Sequence, residues 1–296
     1  MEKVKIIKNK LGYYEVLPKP SQEDLKIYYK SKYYQNQSGN YRNEYTPEEQ
    51  LFFKNKEIRK IHILENYLNI PKSKLLDIGC GEGFSLKHFY TFGWQVLGID
   101  FSNYGIKNNN PLMENYFLEG DLIENMKQLQ TLGKTFNVIT LNNLLEHVID
   151  PSYTIELASQ LLNIDGVLII EVPNDFSNYQ NFLKEKNFVN KDFWVGYPDH
   201  LNYFTKSSLI NLLDSKNMFE VFSLADFPID IFLSNIHSNY VLDKTKGKDA
   251  HKSRIFIDNF LNEQSIEKTI KFYESLAQIG LGRQVISFFK KNKNEL

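Results

Sequence analysis

From residue 74 onward, short apolar runs alternate with amphipathic stretches in a regular rhythm. Apolar runs at 74–79, 95–99, 116–118, 136–141 and 166–172 are bounded by glycine, asparagine or aspartate and predict buried strands. Between them, 84–92, a segment from Ser102 to near Pro111, 122–130 and 151–162 carry helical spacing, with Asp150-Pro151 opening the last. This alternation predicts an α/β fold with a mostly parallel sheet covered on both faces. After Pro173 the rhythm stops, and 174–204 is polar and aromatic. Thr205 then caps a helix to about Lys216, a strand follows at 218–224, and a last strand occupies 284–289. Strand, long excursion and closing strand predict a β-hairpin whose loop, 226–282, has grown into an insertion or lid. Upstream, Gly12 to Val16 predicts a short strand. Gln22 to Tyr34 predicts a helix capped by Ser21, and a second helix runs from Thr46-Pro47 to about Asn69. The chain therefore divides into an N-terminal tyrosine-rich helical cap (1–60), a core (61–225 with 283–296) and the insertion.

The stretch Leu75-Leu76-Asp77-Ile78-Gly79-Cys80-Gly81-Glu82-Gly83 organises the core. Three glycines at alternate positions permit positive φ and remove the Cβ atoms that would hold a ligand off the backbone. A nucleotide-like molecule is the natural occupant, and ligands of parallel sheets bind at the carboxyl ends of the strands. A dinucleotide fingerprint needs glycine at the sixth position; here that position is Phe84, and the third glycine comes one residue early, as Gly83. Asp100, after the second strand, is placed to accept both hydroxyls of a ribose.

Composition narrows the field further. A net charge of −1 gives no reason to expect nucleic acid or an acidic membrane as partner. The single cysteine, Cys80, lies inside the turn, which excludes a disulfide framework and a cysteine zinc cluster and points to a reducing compartment. Residues 1–10 alternate Lys with Val and Ile and lack a signal-peptide core, and no apolar run reaches membrane-span length. A cytoplasmic protein is expected. Tyr28, Tyr29, Tyr33, Tyr34, Tyr41 and Tyr45 give the N-terminal region an amphipathic character suited to packing on the core or to covering a site.

These residues also carry a family resemblance. Asp77 to Gly83 resembles the first motif of class I S-adenosylmethionine-dependent methyltransferases, and Gly98-Ile99-Asp100-Phe101-Ser102 resembles their second. Gly120-Asp121-Leu122 resembles the adenine-contacting turn. Phe136 to Ile139, with Leu144-Leu145-Glu146-His147-Val148 and Asp150-Pro151, resembles the fourth-strand motif, and Leu161-Leu162, Gly166 and Val172-Pro173-Asn174 complete the series. The resemblance covers about 60–225 and 283–290. It implies a Rossmann-like seven-stranded sheet whose last strand is antiparallel, in agreement with the closing hairpin, and S-adenosylmethionine as cofactor with S-adenosylhomocysteine as product. It also implies roles: Gly79, Gly81 and Gly83 facing the methionine and ribose, Asp77 fixing the turn and the ammonium, and Asp100 on the ribose. Asp121 would bind the adenine amino group, Phe101 and Leu122 would sandwich the ring, and Asn142 would meet the methionine end.

For the acceptor, methyl transfer needs alignment and exclusion of water, and a hydroxyl acceptor needs a base, commonly histidine. His200 is the expected base, with His147 and Glu146 near it as orienting groups. In ubiquinone-type and small-RNA O-methyltransferases a Glu-x-x-Glu-His segment and a distant His hold a divalent ion. Here Asn143 replaces the first carboxylate, so no metal is expected. The 226–282 stretch resembles the carboxyl-terminal part of bacterial sugar and surface-glycan methyltransferases. Tyr203, Asp230, Arg254 and Arg283 are therefore expected to contact a small acceptor, possibly a nucleotide-activated or phosphorylated sugar. The expected function is O-methylation of a sugar or glycan precursor, with a quinone or phenol as the alternative acceptor. Of the other classes, a nicotinamide oxidoreductase is disfavoured by Phe84, and a non-catalytic binding protein by Glu146 and His147.

Overall fold

The computed structural model describes residues 4–32 and 44–293, and in it seven strands form one sheet. In chain order the elements are β1 (Lys5–Lys8), β2 (Tyr14–Leu17), α1 (Gln22–Lys32), α2 (Pro47–His62), β3 (Lys74–Ile78), α3 (Phe84–Thr91) and β4 (Gln95–Asp100). Next come α4 (Tyr104–Asn109), β5 (Phe117–Glu119), α5 (Leu122–Thr131), β6 (Phe136–Asn142), α6 (Pro151–Leu161) and β7 (Leu162–Pro173). The chain closes with α7 (Asn178–Glu185), β8 (Asn202–Tyr203), α8 (Lys206–Asp214), β9 (Met218–Ala225), α9 (Gly247–Gln264), α10 (Ile266–Gln278) and β10 (Gln284–Lys291).

The large sheet has the order β5-β4-β3-β6-β7-β10-β9. β10 lies antiparallel between β7 and β9, with Val285 opposite both Val172 and Ala225. The other adjacent pairs, from β5 to β7, are parallel. This is the expected fold with its antiparallel last strand. Successive residues of each central strand enter opposite cores, as the period of two requires. Leu76, Ile139 and Leu168 pack on the side of α5, α6 and α8. Leu75, Val138 and Ile169 pack on the side of α3 and α10. A strand buried on both faces reads as a continuous apolar run, which is why β3, β6 and β7 were legible. Each of these side chains stabilises the fold by about 1.5–3 kcal/mol through burial, and truncation of Ile139 to alanine would cost about 2–5 kcal/mol.

Three features depart from the sequence reading. The N-terminal region is not purely helical: β1, β2 and β8 form a second, antiparallel sheet, with Tyr14 opposite Tyr203 and Val16 fully buried. A four-residue strand with lysine at each end has no readable alternation, and the partner of β2 lies far away in sequence. The long second helix ends at His62 and passes into a widened turn, Ile63–Tyr67. α7 was not expected; its Ser177 cap and Gln180 form a capping box inside an asparagine-rich stretch. Tyr33, Tyr34 and Tyr41, the end of the first helix at Tyr34 and the side chain of Tyr29 lie outside the described residues.

The insertion is two helices, α9 and α10, preceded by short turns. A buried polar joint docks it on α2: Arg59 Nη1 donates to Asp258 Oδ2 at 3.1 Å, Tyr273 donates its hydroxyl to Asp258 Oδ1 at 2.6 Å, and Asn55 donates to Asn259 at 3.0 Å. Among the described residues, no helix is long and apolar enough to cross a membrane.

Candidate active site

The turn after β3 is built as its glycines require. Gly79, Gly81 and Gly83 have φ of 75°, 53° and 74°, all in the left-handed region that side chains disfavour. A Cβ on Gly79 would stand 3.0 Å from Leu144. The turn is held from β4: the amides of Gly79 and Cys80 donate to the Ile99 carbonyl at 2.8 and 3.1 Å. Asp100 Oδ2 accepts from the Gly81 amide at 2.9 Å, and its Oδ1 accepts from the Ser102 amide at 3.3 Å. Burial pushes the Asp100 carboxyl above its ordinary value, against these amides.

Beside the turn lies a cavity of about 550 Å³. Gly79, Asp100, Phe101, Asp121 and Leu122 line it together with Leu144, His147, Val148 and Tyr153. Asp121 also caps α5, its Oδ1 accepting from Ile123 and Glu124 at 3.0 and 3.1 Å, so its position follows from the helix it starts. α1 borders the cavity through Gln22 and Leu25.

Asp77 and Asn142 sit beneath this cavity. Asp77 Oδ1 accepts from Thr140 Oγ1 at 2.6 Å and from Asn142 Nδ2 at 3.3 Å, and burial raises its carboxyl to about 7. The Asn142 amide oxygen accepts from Lys60 Nζ at 2.8 Å. Lys60 is almost wholly buried and also bonds Glu57 at 3.0 Å and Glu171 at 3.1 Å. Lys56 pairs with the other Glu171 oxygen. Against the burial that would raise it, these lysines hold the Glu171 carboxyl near 2. Sequence reasoning missed Lys60 and Glu171. The readable signal was an acid near the carboxyl end of an otherwise apolar strand.

Glu146, His147 and His200 converge, with one possible ligand atom of each within 4.8 Å of the others. The backbone explains how residues so distant in sequence meet. The Glu146 carbonyl accepts from the amides of Leu201 and Asn202 at 2.7 and 3.1 Å, while Asn202 Nδ2 donates to the carbonyls of Leu145 and Val148. The 143–150 loop and β8 are thus laced together. His147 Nδ1 lies 2.7 Å from the Asp199 carbonyl; a carbonyl only accepts, so Nδ1 carries the proton and Nε2 the lone pair. Nε2 is 3.9 Å from Glu146 Oε1. The imidazole rings stand edge to face at 5.0 Å. Burial lowers His147, and burial together with neighbouring His147 lowers His200 to about 4, so both are neutral at pH 7. Burial raises the Glu146 carboxyl well above its ordinary range.

Glu146 Oε2 and His200 Nδ1 are buried with no protein partner. Two neutral imidazoles, one carboxylate and two orphaned donor atoms fit a divalent ion with three protein ligands. The sequence expectation of no metal rested on Asn143. That residue, at φ 49°, accepts from Gln284 Nε2 at 2.7 Å, and it is not one of the three converging residues.

The four residues expected to meet the acceptor do not line this cavity. Arg283 donates to Asp175 at 2.7 Å, and Arg254 lies 3.7 Å from Asp226 and 5.2 Å from the Phe52 ring centroid. Asp230 accepts from Tyr240 at 2.6 Å and from Gln180 at 3.3 Å. Tyr203 is buried and donates to the His200 carbonyl at 2.9 Å. Apart from Arg254 Nε, which is buried without a hydrogen-bond partner, their polar groups are paired inside the protein. Gly81, Gly83, Asp77, Asn142, Glu146 and His200 are likewise behind the lining, not in it.

Comparison with known proteins agrees with this architecture. Residues 49–223, more than half of the chain, match the methyltransferase domain. A ubiquinone biosynthesis O-methyltransferase from Actinobacillus pleuropneumoniae serotype 7 is 30% identical over 152 residues, spanning 49% of this chain and 65% of that relative. One from Pelagibacter ubique is 26% identical over 168 residues, spanning 56% and 70%. A crystal structure of a SAM-dependent methyltransferase from Archaeoglobus fulgidus shares the fold, with a TM-score of 0.52 at 20% identity over 82% of this chain and 94% of that one. With the domain match, the left-handed glycine turn and the β5-to-β9 strand order all in place, the chain belongs to the class I S-adenosylmethionine-dependent methyltransferases.

Proposed function

We propose that this protein transfers a methyl group from S-adenosylmethionine to the hydroxyl oxygen of a phenolic or hydroquinone-like acceptor. The observation that carries the reading is the cavity itself, whose lining includes Gly79 of the glycine turn, the ribose-type aspartate Asp100 and His147. The names of the relatives favour the phenolic acceptor. The sugar or glycan acceptor suggested by the insertion finds no counterpart among them, and the residues expected to grip it are engaged in internal pairs.

The donor, when bound, supplies a methyl group on a positively charged sulfur. Asp100 would accept hydrogen bonds from the ribose hydroxyls, and Phe101 with Leu122 would flank the adenine, with Asp121 at its amino group. Gly79, Gly81 and Gly83 leave backbone room for the remainder, and Asp77 braces the strand below them. Lys60 orients the Asn142 amide, so the backbone at Asn142 remains for the methionine end. Catalysis then rests on holding the acceptor oxygen in line and dry. As the oxygen–carbon bond forms and the carbon–sulfur bond breaks, the hydroxyl proton passes to His147 Nε2, the nitrogen that carries the lone pair. His200 and Glu146, which do not line the cavity, act through His147: its Nε2 lies 3.9 Å from Glu146 Oε1, and its ring meets that of His200 edge to face. Glu146, His147 and His200 are also the residues that would hold a divalent ion, which when bound acidifies a coordinated hydroxyl.

The test is formation of S-adenosylhomocysteine by the purified protein with a panel of phenols, hydroquinones, sugar phosphates and nucleotide sugars, with and without Mn²⁺. Turnover with phenolic acceptors is expected. Turnover confined to the sugars would overturn the acceptor assignment, and failure to bind S-adenosylhomocysteine would overturn the donor site.

A further inference from the structure

We propose that Tyr28, on the N-terminal helix α1, is a positioning residue for His147, so that the helix bordering the donor cavity also sets the imidazole that lines it. This rests on the reading of His147 given above. Three contacts carry it. α1 borders the cavity through Leu25, and Gln22 Nε2 reaches Asp121 Oδ2 at 3.5 Å, at the adenine-side cap of α5. One helical turn on from Leu25, on the same face, the Tyr28 hydroxyl donates to Asp199 Oδ1. The Asp199 carbonyl in turn accepts from His147 Nδ1 at 2.7 Å.

The arrangement has a physical consequence. A histidine presents a lone pair at Nε2 only while Nδ1 has an acceptor to hold its proton. That acceptor is a backbone carbonyl in a short loop, where the Val195 amide donates to Asp192 and the His200 amide donates to Gly196. These backbone bonds hold the loop, and Tyr28 adds a tether from α1 on the Asp199 carboxylate. Outer partners of this kind fix tautomer and ring orientation for a base or a metal ligand alike. Asp199 is therefore the link between α1 and the acceptor chemistry, and α1 is more than a cover.

The experiment compares wild type, Tyr28→Phe, Asp199→Asn, Asp199→Ala and Leu25→Ala, all with S-adenosylhomocysteine. Imidazole nitrogens are read by long-range ¹H–¹⁵N NMR and the nucleotide affinity by calorimetry. Wild type should show His147 almost entirely as the Nδ1–H tautomer. Tyr28→Phe and Asp199→Ala should each shift the tautomer ratio toward Nε2–H by about tenfold, in line with one net hydrogen bond, with nucleotide affinity within about twofold of wild type. Asp199→Asn keeps an acceptor for the tyrosine and should retain the wild-type ratio. Leu25→Ala should do the reverse, weakening the nucleotide and leaving His147 unmoved. Unchanged His147 nitrogens in both Tyr28→Phe and Asp199→Ala would overturn the proposal, as would a Tyr28→Phe effect confined to nucleotide affinity. Loss of nucleotide binding by wild type would instead refute the donor site and leaves the His147 readout to judge Tyr28 on its own.

Discussion

The glycine turn and the histidine cluster beside the cavity are assembled by opposite strategies. In the first, the parts that matter are neighbours in sequence: three left-handed glycines, and an aspartate that closes on the turn within about twenty residues, Asp100 Oδ2 accepting from Gly81. In the second, Glu146 and His147 wait on a loop for His200, Asp199 and Tyr28 to arrive from other parts of the chain. The turn is held by backbone geometry that few residues can adopt. The cluster is held by side chains and carbonyls laced across β8, whose chemistry changes with a single substitution. A site of the first kind tolerates drift in its surroundings and keeps one ligand. A site of the second kind can be retuned for a new acceptor without disturbing the first.

The comparison breaks most directly at its chemical end. His147→Ala should lower methyl transfer by about 10²–10⁴-fold, the usual scale for a general base, with S-adenosylhomocysteine affinity unchanged by calorimetry. Glu146→Gln keeps shape and removes the charge, and should lose most of the turnover and any Mn²⁺ dependence. Parallel loss of nucleotide affinity in either variant would show that turn and cluster are not separable. At the glycine turn, Asp100→Ala should weaken S-adenosylhomocysteine by about 10- to 100-fold, since a hydrogen bond to a charged group contributes about 1.5–3 kcal/mol. Near-native affinity would move the ribose elsewhere.

The same contrast explains what could be read from the chain beforehand. β3, β6 and β7 announce themselves because a strand covered on both faces must be apolar throughout, and the glycine turn announces itself because three alternate left-handed positions favour glycine. The family and the sheet follow from those local demands. The insertion was legible as an excursion between two strands but not in its effect. Arg254 and Arg283 look like free cations in sequence, and only the fold reveals that Asp226 and Asp175 face them. β1 was illegible because the sheet it belongs to is completed by two residues, Asn202 and Tyr203, nearly two hundred positions later. Lys60 and Glu171 were missed for the same reason: each is tolerable in the interior only because the other is there.

The neutral histidines give their cluster a pH signature that the glycine turn lacks. His200 is held near 4 in the folded protein by burial and by His147, against an ordinary value of 6.5. Between those values the unfolded chain binds a proton that the folded one does not. The contribution is therefore fully present above about pH 6.5 and is lost as pH falls toward 4. Relative to a His200→Gln variant, wild type should lose about 1–2 kcal/mol on going from pH 7 to pH 5, discounted for partial solvent access. Asp77, raised to about 7 by burial, acts in the opposite direction, binding a proton in the folded state and losing stability as pH rises through neutrality. The variant-to-wild-type difference, followed by denaturant melts at several pH values, isolates the histidine from this background. A difference that stays flat across that range would mean that His200 titrates normally.

The smallest effect is expected where the sequence suggested a substrate clamp. Arg254 stacks over Phe52 and lies 3.7 Å from Asp226, whose carboxyl remains raised to about 6 by burial despite the guanidinium beside it. Arg254 thus bridges the insertion and α2. Arg254→Ala should cost about 1 kcal/mol of stability through the lost cation–π contact and weakened pair. The acceptor KM should stay within about twofold of wild type for whichever phenol the panel identifies. Arg254→Lys keeps the charge and loses the planar stacking, so it should fall between the two in stability and match wild type in KM. A rise of tenfold or more in KM for Arg254→Ala, at unchanged stability, would return this arginine to the acceptor. It would then make the insertion part of the retunable site instead of a brace behind it.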